Sequence, residues 1–223
     1  MKLIYPRINF TYNLKNKQLN SLVIESPSVM EQCIIDLYED TNGKGDNFRL
    51  SDDEEELSIA RTMALVMTPI DFNYIKREIN KSFLSYVKRE IDESDLSQRI
   101  VEKYAEIKEL LEELYYLSDI PIEYDSMVTE NDIFKHFDIH LKTPEGAFVE
   151  KVIEYCFVLR RLTEKKIIVL ANCEAYIEPG DYKYLEKHIE TEEIYILLVS
   201  NKQLGVKCKL NECIIDRDMC ELY

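Results

Sequence analysis

No phosphate-binding loop is written into this chain. The pattern Gly-x-x-x-x-Gly-Lys-Ser/Thr is absent, and five glycines in 223 residues are few from which to build any phosphate cradle. Conventional ATP hydrolysis is therefore disfavoured. No apolar run approaches the roughly 18 residues of a membrane span. The start, Met1 to Arg7, lacks the apolar segment and small-residue cleavage site of a secretory signal, so the sequence reads as cytoplasmic with no membrane partner. None of the six cysteines forms a Cys-x-x-Cys pair. Cys33, Cys156 and Cys173 sit in apolar segments, where reduced cysteine acts as a small hydrophobe. Cys208, Cys213 and Cys220 have no histidine nearby and the wrong spacing for zinc. His136, His140 and His188 are scattered, and no Ser/His/Asp or Cys/His set is suggested. Basic residues are also scarce, 28 against 43 acidic, for a formal net charge of −15. That balance opposes a nucleic-acid partner unless the basic residues gather on one surface.

What is present is an α/β frame, clearest from Glu145 to Asn201. Glu145–Arg161 is apolar over more than half its circumference and reads as a long helix opened by Thr143-Pro144-Glu145. Ile167–Asn172 and Ile194–Val199 are continuous apolar runs, the signature of strands covered on both faces, usually in parallel sheets. Pro179-Gly180 opens a helix between them, to about Glu190. Toward the N-terminus, Arg7–Leu14 and Leu19–Glu25 read as short strands around the polar turn Lys15-Asn16-Lys17. Ser28-Val29-Met30-Glu31 has the form of a capping box, opening a helix to about Asp40. Asn47–Leu50 suggests another strand, and Asp52–Glu56 a solvated loop or a helix start.

Between these parts lies a helical block, about Pro69–Lys142. Thr68-Pro69 reads as a cap and first helical residue. Phe72, Ile75, Ile79, Phe83 and Tyr86 then form one apolar stripe to about Ile91. Ser97–Leu117 repeats the pattern with Ile100, Tyr104, Ile107, Leu111 and Leu114. Thr129 caps a third, shorter helix with Asp132 at its third position. The expected division is 1–68 with 143–223 as one α/β domain and 69–142 as a helical domain.

Two charge patterns stand out. On the first inserted helix Arg77, Lys81 and Lys88 fall within about 40° of one another, opposite the apolar stripe. An ordinary solvated face explains this, and so does a cationic track for DNA phosphates. The second helix is acidic outward, with Glu102, Glu106, Glu109 and Glu113, so a chain of net −15 can still present one positive side. Asp119, Glu123, Asp125, Glu130 and Asp132 crowd around the Pro121 turn. Hard oxygen ligands on a loop suit calcium, yet Glu130 and Asp132 also serve a helix N-terminus. The Asp40–Gly45 segment resembles an EF-hand only superficially, because Lys44 and Ser51 occupy ligand positions. Asn172, followed by Glu174, ends a strand where an NTPase would hold a magnesium-binding Asp.

The chain resembles the small ring-forming DNA-binding family of type II-A CRISPR systems. Phe148–Glu154, Glu164–Asn172 and Ile122-Glu123-Tyr124-Asp125 carry the likeness, together with the order of elements along most of the chain. The resemblance implies a degenerate P-loop-ATPase-like head with a mostly parallel sheet, an inserted helical leg, and no catalytic activity. It implies a homotetrameric ring that threads double-stranded DNA and prefers free ends. It also implies calcium at the head–leg junction, matched here at Glu123, Asp125 and Asp132, and work alongside the CRISPR integrase proteins and the effector nuclease in acquiring spacers. The chain departs from the family's acidic pattern at Pro121 and Ser126. Two other classes stay open: a nucleotide-dependent enzyme using a divergent site near Asn172 and Glu174, and a protein-interaction scaffold working through its acidic surface.

Overall fold

The computed structural model describes residues 1–53, 55–72, 77–123, 130–191, 194–206 and 208–222, with the side chains of Arg77, Glu78, Glu130 and Asn131 outside that description. The chain divides into two compact units, Met1–Asn73 with Thr143–Tyr223, and Tyr74–Lys142. The first unit opens with β1 (Lys2–Tyr5), β2 (Phe10–Asn13), β3 (Leu19–Ile24), α1 (Pro27–Thr41), β4 (Arg49–Asp52), β5 (Glu55–Leu57), α2 (Ile59–Thr62) and β6 (Met63–Val66). The second unit contains α3 (Arg77–Asp92), α4 (Leu96–Leu117) and α5 (Glu130–His136). The chain then returns through α6 (Phe148–Leu162), β7 (Ile167–Ala171), α7 (Asp181–Thr191), β8 (Tyr195–Ser200), β9 (Leu210–Ile215) and β10 (Glu221–Leu222).

The principal sheet has the order β10-β9-β3-β8-β7-β6, parallel throughout except for β10. Every residue of β3 and β7 is buried: β7 is apolar throughout, as a doubly covered strand requires, while β3 carries Asn20 and Ser21 into the interior among its apolar residues. Ile167, Val169, Ala171, Leu197 and Val199 share one core with Met30, Cys33 and Leu37 of α1 and with Leu3, Tyr5, Phe10 and Leu50 of the small antiparallel sheet β2-β1-β4-β5. Their alternates Ile168, Leu170, Ile196 and Leu198 point to the opposite face. The buried residues of α6 and α7, among them Val152, Leu159, Leu185 and Ile189, lie outside the first core; α7 packs on β3, and α6 on α7. Each such side chain contributes about 1.5–3 kcal/mol when fully buried.

The local signals resolve differently from their sequence reading in several places. Lys15–Lys17 does lie between two strands, but they belong to different sheets, and the turn carries the chain from the small sheet (β2) to the large one (β3). Buried Asn20 fixes this crossing, accepting from Lys15 N at 2.8 Å and donating to Ile196 O at 3.2 Å. Helix α1 begins at Pro27, with Ser26 at the N-cap position but making no side-chain capping bond, so Ser28 and Glu31 lie inside the helix rather than framing its start. The acidic Asp52–Glu56 stretch is not a helix start, because β4 and β5 pair across it, Leu50 opposite Leu57. Thr68-Pro69 opens a 3-10 turn, Pro69–Asp71, with Asp71 Oδ2 accepting from Met67 N and Thr68 N at 2.7 and 2.9 Å. Phe72 packs on Phe148 and Tyr155 of α6, ring centres 5.4 and 5.5 Å away, inside the first unit rather than on the α3 stripe.

The long helix α6 starts at Phe148, not at Thr143-Pro144. Gly146 intervenes with φ of +96°, and Glu150 Oε2 accepts from Ala147 N at 2.8 Å. A Cβ at Gly146 would sit 2.2 Å from that carboxylate oxygen. Gly146→Ala is therefore expected to destabilise the first unit by about 1–2 kcal/mol through backbone strain and a displaced cap. Chemical denaturation of the two proteins checks this; an unchanged midpoint would show that the turn relaxes freely.

Candidate nucleic-acid and metal sites

Helix α3 packs on α4. Its apolar positions divide by depth: Ile79 and Ile91 are buried, while Phe83 and Tyr86 are half-buried. Lys81 and Lys88 are exposed and two turns apart on one side. Arg77 begins the helix, but its side chain lies outside the described residues. Arg89 on the neighbouring side is engaged locally, with its guanidinium 5.4 Å from the Tyr86 ring centre and 3.9 Å from both Glu90 and Glu93. Such exposed pairs contribute little.

On α4, Glu102, Glu106, Glu109 and Glu113 are all exposed. Glu106 receives Lys103 Nζ at 2.8 Å, and Glu102 receives Gln98 Nε2 at 3.0 Å. The apolar stripe of α4 departs from the sequence reading. Among the described residues of α4 none is buried, and Ile107 and Leu114 are half-exposed. The stripe's N-terminal half, with Ile100, Tyr104 and Ile107, meets Ile133 and Phe137 around a shallow apolar cleft. Toward the C-terminus Leu111 of the expected stripe is half-buried, while Leu114 lies open on nearly one line of the helix with Leu110 and Leu117, which the sequence reading did not include.

The acidic residues around Pro121 are only partly described. Asp119, Glu123 and Asp132 are exposed; Asp132 lies 3.9 Å from Lys135 and adds to the burial that raises the Tyr104 hydroxyl pKa. Asp125 and the Glu130 side chain lie outside the described residues. Among the described residues no three carboxylate, histidine or cysteine groups converge as metal ligands. The donor chemistry is right for calcium, but the described carboxylates alone do not make a site with the six to eight oxygens it takes.

Two strand ends of the first unit bear on the nucleotide alternative. Only Glu25 and Ser26 separate β3 from α1, too short a link for a phosphate-cradling loop. Asn172 follows the last residue of β7 in the left-handed region (φ 54°), exposed, its N–H donating to Val199 O at 2.9 Å. Beside it, burial and then the Glu174 charge push the Cys173 thiol up to about 12, so it stays protonated at neutral pH.

One charged cluster escaped the sequence reading. Asp36 on α1 is buried and accepts from Tyr5 Oη at 2.6 Å, Arg7 Nε at 2.8 Å and Gln32 Nε2 at 2.8 Å. Burial raises its pKa, but these three donors together hold it below the ordinary 3.8. One turn on, buried Asp40 accepts from Asn47 N and Phe48 N, tying the helix end to the chain entering β4. The i, i+4 spacing was the available signal, but nothing local marks an aspartate that will meet a distant tyrosine.

The fold and sequence have recognisable relatives. A CRISPR-associated protein Csn2 from Enterococcus faecalis is 20% identical over 199 residues, spanning 83% of this chain and 90% of that one. A solved structure, Stu0660 of Streptococcus thermophilus, superposes with a TM-score of 0.64 at 13% identity, covering all of this chain and 76% of the other. That likeness agrees with the mixed α/β architecture and its mostly parallel sheet. The sequence profile of the family described as CRISPR-associated protein (Cas_Csn2) matches residues 38–219, well over half the chain, and the protein belongs to that family.

Proposed function

We propose that this cytoplasmic protein is not an enzyme but a sequence-non-specific binder of double-stranded DNA, acting at DNA ends as a homotetrameric ring during acquisition of new CRISPR spacers. The family match over residues 38–219 carries the reading. The exposed Lys81 and Lys88, with Arg77 on the same helix, supply the phosphate chemistry that net charge alone argues against. The open apolar side of α4, with Leu110 63% and Leu117 81% exposed, supports assembly, since monomers rarely leave such a stripe in water. The integrase proteins and the effector nuclease of the CRISPR system are the protein partners of this reading.

Two measurements test it. Light scattering with calcium present should return about four times the 26.4 kDa chain mass; a monomer at micromolar concentration would sink the ring. Gel shifts of linear and circular duplex, in calcium and in chelator, should show binding without sequence preference and stronger on free ends. An ATP titration should give no signal.

Calcium is the proposed cofactor, with Asp119, Glu123, Asp125, Glu130 and Asp132 as its candidate carboxylates. A ligand bound only by the assembled state at a hundred times its Kd stabilises it by about 2.7 kcal/mol. Chelator should then lower the melting temperature by roughly 5–10 °C, and Asp125→Ala should melt identically with and without calcium. A wild-type melt indifferent to chelator would remove the metal and leave the DNA reading standing on its own residues.

A further inference from the structure

We infer that the groove between α6 and α7 is a docking surface for a basic, partly apolar segment of a partner protein. The groove encloses about 290 Å³ and is lined by Glu150, Ile153, Glu154 and Phe157 of α6 and by Tyr184 and His188 of α7. Its α6 residues follow the i, i+3, i+4, i+7 pattern, and its α7 residues are one turn apart, so two ordinary helix faces build it. Phe157 and Tyr184 are 46% and 45% exposed, large rings held at the surface where the fold gains little from them.

The polar groups of the groove favour a cation. Glu150 and Glu154 offer only acceptors. His188 Nδ1 lies 2.9 Å from Tyr184 O, and a carbonyl only accepts, so Nδ1 is the donor there and the imidazole is tied to its own helix. The Phe157 and Tyr184 rings add negative faces, the surfaces on which guanidinium and ammonium groups rest. The molecule itself gives an example: the Arg161 guanidinium lies 4.7 Å from the Phe157 ring centre.

Size and polarity define the occupant further. At about 290 Å³ the groove falls at the lower edge of small-molecule pockets, which span roughly 300–1,000 Å³. It has room for one or two side chains and little for a cofactor. Along α6 the stripe from Glu150 to Arg161 covers about 16 Å, carboxylates at one end and a guanidinium at the other. The fitting segment is short, places Arg or Lys near Glu150 and Glu154, and lays an apolar side chain on Ile153 and Phe157. Charge complementarity selects a protein segment of this kind over nucleic acid, whose phosphates the two carboxylates repel.

The test titrates the full chain, at 150 mM salt, with a fluorescent nonapeptide alternating arginine and leucine. Two control peptides carry glutamate for arginine or glycine for leucine. The arginine–leucine peptide should bind at least tenfold tighter than either control. Tyr184→Ala and Glu154→Lys should each weaken it tenfold or more, while Tyr184→Phe, which keeps the ring, restores it. Glu109→Lys on α4 should leave it unchanged. Equal losses with Glu109→Lys and Glu154→Lys would reduce the binding to diffuse attraction by an acidic protein and overturn the proposal. So would equal binding of the glycine control, or no binding at all. A change in solution mass in Tyr184→Ala would make the groove a contact between copies of this chain, which also overturns it. DNA gel shifts on the same variants keep this result separate from the ring reading, which uses other residues.

Discussion

Asp36→Ala is expected to cost the first unit about 2–4 kcal/mol. The substitution leaves the Tyr5 hydroxyl in the core without its 2.6 Å acceptor, on a residue with no solvent exposure. An unsatisfied buried polar group costs about 1–3 kcal/mol. Arg7 also loses its partner, but its side chain is half-exposed and water compensates much of that loss. The estimate is therefore centred about 1 kcal/mol lower than the full cost of breaking a buried pair, about 3–5 kcal/mol. Asp36→Asn separates charge from shape, since it can still accept from Tyr5. The carboxyl pKa is depressed in the folded state, so its charge stabilises the fold above the ordinary 3.8 and loses that effect as pH falls through the folded value. The stability gap between wild type and Asp36→Asn should therefore stay level from neutral pH down to about 4 and close below it. A gap that closes near pH 7 would assign the effect to another group.

The parts of the fold that the sequence disclosed are those decided by short-range pattern. β7 and β8 were legible because continuous apolar runs have few alternatives to a doubly covered strand, and α4 because its period repeats over six turns. β1, β5 and β6 were missed: each has only three or four residues, and β5, Glu55–Leu57, is largely charged. Their strand character comes from partners such as Leu50 and Ile167, not from their own composition. Thr68-Pro69 and Thr143-Pro144 misled in the same way. Both are sound local cap signals, but Phe72 and Gly146 redirect the chain: Phe72 is drawn into the aromatic cluster on α6, and Gly146 takes a backbone conformation that delays the helix. The α4 stripe shows the opposite limit. Periodicity reports which side of a helix is apolar, and the same pattern serves a core or an uncovered surface. The Asp36 cluster and the α6–α7 groove were invisible because their members come from separate segments, joined only by the fold.

Replacing Arg77, Lys81 and Lys88 together by alanine is expected to remove most of the protein's affinity for duplex DNA. Each basic side chain that neutralises a phosphate contributes about −0.9 to the slope of log affinity against log salt. If the three positions in two subunits of a ring meet the backbone, the wild-type slope is about −5. The triple variant should then flatten toward zero, and affinity at 100 mM salt should fall by roughly a hundredfold or more. The helix should survive, because Lys81 and Lys88 are exposed while the buried Ile79 and Ile91 remain to pack it. Single substitutions should each reduce the slope by part of the total and weaken all duplex sequences alike, the mark of phosphate rather than base contacts. Circular dichroism and solution mass, unchanged in the variant, would tie the loss to the surface and not to folding or assembly. An unaltered slope would move the phosphate track off α3. The exposed Lys15 and Lys17 before β3 and Lys209 before β9 are the next positions to substitute, along with Lys207, which lies outside the described residues.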